Sequence, residues 1–331
     1  MSRLPILPLL AMLFTLAPAD PVAAAADPVA EARRALAEER PEDAVTILEG
    51  ALEAVEGGAP QARRADLHAL LGRALALGDR YAEAADHLER AVALGRADLG
   101  TLLYLGSSQW EVQRFEPAVE TLQRAAERSA GTPSEFLAHH QLGRLLLFLG
   151  RPADALGALE RAAELRPEAF DARLDLARAL DRSGATERAV TAYREVVEMA
   201  PQSPHARWGL GQALVRLGER EAAAEHLAVY REIYEAQQEE TREGFLVEAR
   251  LARARELFEA RRLDEAERIV VELPETAGTL EALARIRATG GDFQGAVEAL
   301  EKAVSRAPDR EDLRRLLAEA RLLAREVDDG R

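Results

Sequence analysis

Cysteine is absent from this 331-residue chain. That excludes disulfide staples, thiolate zinc sites, iron–sulfur ligation and cysteine nucleophiles. Lysine is almost absent as well: of 43 basic residues only Lys302 is lysine, so arginine carries nearly all the positive charge. Those 43 cations face 58 Asp and Glu, leaving a net charge of −15. A uniformly basic nucleic-acid binder is excluded, because counterion release needs clustered positive charge. Aromatics supply only 5% of the residues, and beyond the N-terminus no stretch approaches the ~20 apolar residues of a membrane span. What the chain has instead is alanine, leucine, glutamate and arginine, with 48% hydrophobic residues. That is too apolar for disorder, and it favours helix over strand.

The N-terminus reads as an address. Arg3 and the amino group precede an uncharged run from Leu4 to Leu16, broken by Pro5 and Pro8. Ala17-Pro18-Ala19 and Ala23 to Ala26 follow. A positive start, a short apolar run and small residues form the three-part pattern of a secretory leader. Residues 1–26 are therefore expected to be a signal peptide, with Ala24 and Ala26 as the cleavage pair and Ala17 and Ala19 as another. No cysteine follows to take a lipid. The expectation is an exported chain, periplasmic or extracellular, with no membrane span in its mature part.

The body of the chain repeats itself. One alanine recurs in a constant setting: Ala44, Ala84, Ala118, Ala155, Ala189, Ala223, Ala266 and Ala296, at intervals of 40, 34, 37, 34, 34, 43 and 30 residues. Twelve residues before each stands a small residue: Ala32, Gly72, Gly106, Gly143, Ala177, Gly211, Ala254 and Ala284. Glycines lie between, at Gly78, Gly150, Gly184, Gly218 and Gly290-Gly291, where a helix stop taken in the left-handed conformation is expected. Leu142, Leu146 and Leu149, then Ala155, Leu159 and Ala162, keep the three-to-four spacing of amphipathic helices. Each unit is a helix–turn–helix whose small residues let two helices approach closely. One such unit buries too little by itself, so neighbours must stack, with Leu142, Leu159, Leu176, Tyr193, Leu210 and Leu227 as the expected seam.

The segments HQLGRLLLFLGRPADALGALERAAELRP and LDLARALDRSGATERAVTAYREVVEMAP, closed by Pro167 and Pro201 as a later unit is by Pro308, resemble the tetratricopeptide repeat family. The resemblance covers about residues 28–308 in about eight units. It implies an all-α fold: a right-handed superhelix, an α-solenoid of antiparallel helix pairs with a C-terminal capping helix. The expected organisation is units one to six over 27–230, a helical connection over 231–246, units seven and eight over 247–308, and the cap with its tail over 309–331. Arg253 replaces the usual leucine of unit seven, and Pro274 shortens its second helix. Asp309 is the expected N-cap of the last helix, whose stripe is Leu313, Leu316, Leu317, Ala320 and Leu323.

Catalytic constellations are missing from the sequence. No pair among His68, His87, His139, His140, His205 and His226 has the i,i+4 spacing of a helical zinc site, and no G-x-S-x-G, P-loop or kinase signature occurs. Gly209-Leu210-Gly211 falls at packing positions inside a first helix. The chain is expected to be no enzyme and to need no cofactor or metal.

In the family the first helix of each unit lines a groove that receives peptide segments, and the resemblance puts the position after the small residue on it. Here it holds Arg33, Arg73, Ser107, Arg144, Arg178, Gln212, Arg255 and Arg285, six arginines out of eight where composition predicts about one. Two readings stand: a ladder of guanidinium forks for an acidic partner, or surface arginines neutralised by nearby Asp171, Asp175 and Asp181. Trp110 and Trp208 fall at other groove positions, with His140 and Arg216 near them, and these are residue types that dominate interfaces; packing between helices is the alternative. Phe136, Leu137 and Phe148 offer an apolar pocket in unit four. The expected partner-binding set is Arg73, Trp110, His140, Arg144, Arg178, Trp208, Gln212 and Arg216. The expected function is a non-catalytic scaffold for a protein or peptide segment, acidic if the ladder is free. Two other readings remain: an assembly factor of an envelope or export complex working through its convex face or edges, and an enzyme with an unrecognised carboxylate site.

Overall fold

The computed structural model describes residues 27–328 apart from 56 and 57, so the expected leader over 1–26 lies outside the described residues. Among the described residues sixteen helices follow one another and no strand occurs. The chain divides into two compact units, Met1–Tyr230 and Arg231–Arg331.

The first unit holds α1 (Pro28–Ala37), α2 (Pro41–Val55), α3 (Gln61–Leu77), α4 (Tyr81–Ala93), α5 (Leu99–Glu111) and α6 (Phe115–Arg128). It continues with α7 (Glu135–Phe148), α8 (Pro152–Leu165), α9 (Phe170–Arg182), α10 (Thr186–Met199) and α11 (Pro204–Leu217). The first residues of α12 (Arg220–Glu259) close it. Helix starts follow local chemistry. Asp27, Asp98 and Ser203 each accept a hydrogen bond from an otherwise orphaned amide of α1, α5 and α11. Proline opens α8 and α11, where its missing N–H costs nothing.

The hairpin geometry explains the sequence spacing. Seven residues after the small residue and five before the alanine, the chain turns through positive φ: at Glu39, Asp79, Gln113, Gly150, Gly184, Gly218, Arg261 and Gly291, one per repeat. The expected stop at Gly78 is a correction: its φ is −92°, and Asp79 takes the left-handed position at 59°. Four of these turns thus bend without glycine, against a cost of about 1–2 kcal/mol for a side chain in that region.

After the turn the second helix returns against the first. A Cβ added to Gly72, Gly106, Gly143 or Gly211 would lie 2.5 to 2.6 Å from Leu88, Leu122, Leu159 or Leu227, the residue four past each repeat alanine. Leu88, Leu122 and Leu159 are fully buried, as are the alanines at 84, 118 and 155. Each helix from α1 to α11 packs against its chain neighbours, and the first helices touch in one row, α1 on α3, α3 on α5, α5 on α7, α7 on α9 and α9 on α11. The expected seam is there: Leu142, Leu159, Tyr193 and Leu210 are buried, and Leu176 and Leu227 half-buried. Leu156 and Leu176 each pack on two clusters, joining the core of units one to four to that of units five and six.

The second unit contains the rest of α12, α13 (Leu263–Val271), α14 (Ala277–Gly290), α15 (Phe293–Arg306) and α16 (Glu311–Asp328). Helix α13 ends at Val271, ahead of Pro274. Thr276 and Thr279 form a reciprocal capping box that starts α14. One core joins Leu251, Leu257, Ala266, Val270 and Ile286; another joins Leu280, Ala296 and Leu300 to Leu313, Leu317 and Ala320 of α16. Asp309 does not cap α16, which begins two residues later, and Leu323 of the expected stripe is exposed while Ala324 is buried. Among the described residues no helix is long and apolar enough to cross a membrane.

Two glycines fourteen residues apart should respond oppositely to alanine. Gly143→Ala drives a methyl into Leu159 and is expected to cost about 1–3 kcal/mol. Gly157→Ala, in the exposed interior of α8 with nothing within 4 Å of the new methyl, should gain about 0.5–1 kcal/mol. Chemical denaturation of both variants reads the two signs.

Candidate functional site

The row of first helices brings together residues far apart in sequence. The centre is Asp175, buried on α9, which the sequence reading named only as a neutralising neighbour. His140 Nε2 on α7 lies 3.2 Å from its Oδ2, Arg144 Nε 3.6 Å from the same oxygen, and Arg178 Nη1 3.1 Å from Oδ1. Burial pushes the Asp175 carboxyl upward. The hydrogen bond and charge of His140, then the charges of Arg178 and Arg144, outweigh it and hold the group below the usual carboxylate value. His140 is itself buried against the Phe136 ring, 5.4 Å between centroids.

Arg144 has a second contact. Its guanidinium carbon stands 5.7 Å over the centre of the Trp110 ring, within cation–π range. Trp110 on α5 meets Phe148 at the end of α7 at 6.0 Å, and Phe148 meets Phe115 at the start of α6 at 5.4 Å. Phe148 is nevertheless 62% exposed. This aromatic step replaces the expected pocket of Phe136, Leu137 and Phe148: Phe136 and Leu137 are core residues, and only Phe148 faces outward. Twelve residues at about 100° each leave Phe136 and Phe148 roughly 120° apart around α7, so they cannot share a pocket.

The other predicted residues are distributed along the same row. Arg216 on α11 contacts the Asp181 carboxylate of α9. Trp208, also on α11, is 50% exposed and makes no ring or cation–π contact among the described residues. Gln212 is half-buried beside it. Arg73 on α3 is separate from this cluster and lies 5.5 Å over the ring of Tyr104 on α5. Asp171 makes none of these ion pairs.

A register rule emerges that the sequence reading missed. The residue after the small residue in one unit meets the residue two before the small residue of the next: Arg73 meets Tyr104, and Arg144 meets Asp175. The signal was the constant spacing of 31 residues in both pairs. At the equivalent junction of units three and four the two positions hold Ser107 and Gln141, both buried, with the serine hydroxyl and both amide atoms of Gln141 lacking a hydrogen-bond partner.

Two guanidinium groups and an imidazole thus share one carboxylate, leaving local positive charge on an acidic chain, next to the exposed Phe148 ring. Such a surface can grip a segment that carries an apolar side chain and a carboxylate. Among the described residues no group of three or more histidine, aspartate or glutamate residues is placed to hold a metal.

The architecture and this row define an α-helical repeat protein of stacked hairpins. The tetratricopeptide repeat family profile matches residues 29–98, 140–204, 174–237 and 281–331, well over half the chain. The chain belongs to the tetratricopeptide repeat family. Among solved structures it is similar to MamA from Desulfovibrio magneticus RS-1, with 22% identity and a TM-score of 0.48, covering 53% of this chain and 97% of that one. It is also similar to YrrB, described as a TPR protein with an unusual peptide-binding site, at 21% identity and a TM-score of 0.49, covering 55% of this chain and 90% of that one. No curated protein sequence matches it.

Asp175→Asn should cost about 1–3 kcal/mol, since the surrounding cationic donors lose the negative charge and one of its two acceptor oxygens. The native carboxyl titrates below its unfolded value, so its contribution is present above the unfolded carboxylate range and lost as pH falls through the folded value. Denaturation midpoints measured from neutral to strongly acid pH should converge for the wild type and the variant.

Proposed function

We infer that the protein is a non-catalytic scaffold that captures an extended or helical segment of another protein along the row α5, α7, α9 and α11. The observation that carries this reading is Phe148, largely exposed although two aromatic rings, one of them beneath Arg144, lie against it. Large apolar side chains left in solvent beside arginine are what interface anchors look like. The helices beneath them pack rigidly, so little ordering entropy is lost on binding. Trp208 supplies a second anchor on the same row.

The excess of guanidinium over carboxylate around Asp175 favours an acidic residue next to the anchor. The family membership supports a binding role over catalysis, and nothing in the cluster supplies a nucleophile with its base. The leader-like residues 1–26, with Arg3 and the run to Leu16, support an exported location, periplasmic or extracellular.

The test is selection of binding peptides from a displayed random library with the purified protein. Selected peptides should carry an apolar residue near Asp or Glu. Phe148→Ala and Trp208→Ala should each weaken their binding about 10- to 100-fold, with the unfolding midpoint unchanged. Peptides whose affinity ignores both substitutions would move the binding surface to the second helices or the edges, and with it the function to assembly.

A further inference from the structure

The residue four before the small residue and the residue fifteen after it meet across two of the hairpins. In unit six they are Arg207 on α11 and His226 on α12, with Arg207 Nη1 at 2.9 Å from His226 Nδ1. A guanidinium can only donate, so this ring nitrogen must be bare and accept, with the imidazole proton on Nε2. The same arginine reaches backwards. Its Nε donates at 2.9 Å to the carbonyl of Pro201, the residue that closes unit five. Arg207 thus ties the returning helix to the connection before α11.

Unit five has a parallel clasp of different chemistry. Arg173 on α9 donates to the Pro167 carbonyl and to the Glu195 carboxylate of α10. A carboxylate attracts the guanidinium, whereas an imidazole suits it only while uncharged. Burial first, then the positive charges of Arg207 on α11 and Arg194 on α10, hold the His226 ring below the ordinary histidine range. Glu225, on the same helix as His226, pulls the other way and is outweighed.

We propose that the joint between α11 and α12 is a proton-operated clasp, closed while His226 is neutral and released when acid charges it. Protonation sets an N–H against the Arg207 N–H and brings two positive charges together, so the acceptor is gone. The folded ring resists the proton and the unfolded one does not. Stability is therefore full above the unfolded value of about 6.5 and is lost as pH falls below it. The clasp works without any bound segment, although α11 also carries Trp208. Unit two holds a related contact, His68 Nδ1 on α3 at 2.9 Å from His87 Nδ1 on α4. One nitrogen donates and the other accepts, so the pair takes one proton on an outer nitrogen but not a second. Burial, His87, Arg90 and Arg64 bring His68 down to about 4. His87 is also lowered, by burial and Arg90 against Glu49, Glu83 and Asp86.

Urea unfolding of the full chain at about pH 7.5 and about pH 5, on either side of the histidine range, tests the clasp when followed by tryptophan emission. The comparison is His226→Asn, whose Oδ1 stands where Nδ1 stood and accepts without titrating. The wild type should lose stability at the lower pH. His226→Asn should retain about fivefold more of its folding equilibrium constant across that step, as one hydrogen bond predicts, with the pair in unit two supplying the fall that remains. Histidine NMR titration gives a second reading: His226 should titrate below about 6.5 in the wild type and rise towards it in Arg207→Gln. A fall as large in His226→Asn as in the wild type, or a His226 titration that Arg207→Gln leaves unmoved, would overturn the proposal.

Discussion

The close approach of two helices at one small residue sets everything else in this molecule. Where Gly72, Gly106, Gly143 or Gly211 stands, the returning helix lays a leucine against bare backbone, closer than any Cβ would allow. Dispersion and burial there are strong because the surfaces are near, and they vanish quickly with a small gap. The turn must then reverse the chain at a fixed distance from this contact. That is why the left-handed position stays five residues before the alanine even where glutamate, aspartate, glutamine or arginine must occupy it.

The same constraint builds the candidate site. Hairpins of constant geometry put their first helices side by side, so residues 31 to 35 positions apart meet from one unit to the next. Each meeting is an opportunity the chain uses differently: a cation over a phenol ring at Arg73 and Tyr104, an ion pair at Arg144 and Asp175. A repeat architecture therefore separates two tasks. The small residues and leucines keep the stack, and the facing positions between units are available for charge and aromatic chemistry without disturbing it.

Much of the fold was legible because its determinants are steric and local. Glycine or alanine twelve residues before alanine admits few structures other than a tight hairpin. What stayed hidden was the chemistry between hairpins. The sequence shows Asp175 near three arginines in the same helix and its neighbours, yet which guanidinium it holds depends on how α7 and α9 lie together. Burial also escapes periodicity at helix ends: Phe136 and Phe148 look alike in sequence, but one is enclosed by Ala162 and Ala172 and the other projects from the last turn of α7. The turn at Asp79 was misplaced by one residue because glycine beside it is the stronger compositional signal, although the backbone asked only for the right register.

Both indole rings of the protein, Trp110 and Trp208, belong to the first compact unit, on α5 and α11. The second, from Arg231 onward, has none. Its melting is consequently invisible to tryptophan emission, which follows the N-terminal unit alone. Circular dichroism sees all sixteen described helices, so a gap between the two signals during denaturation measures how independently the two units unfold.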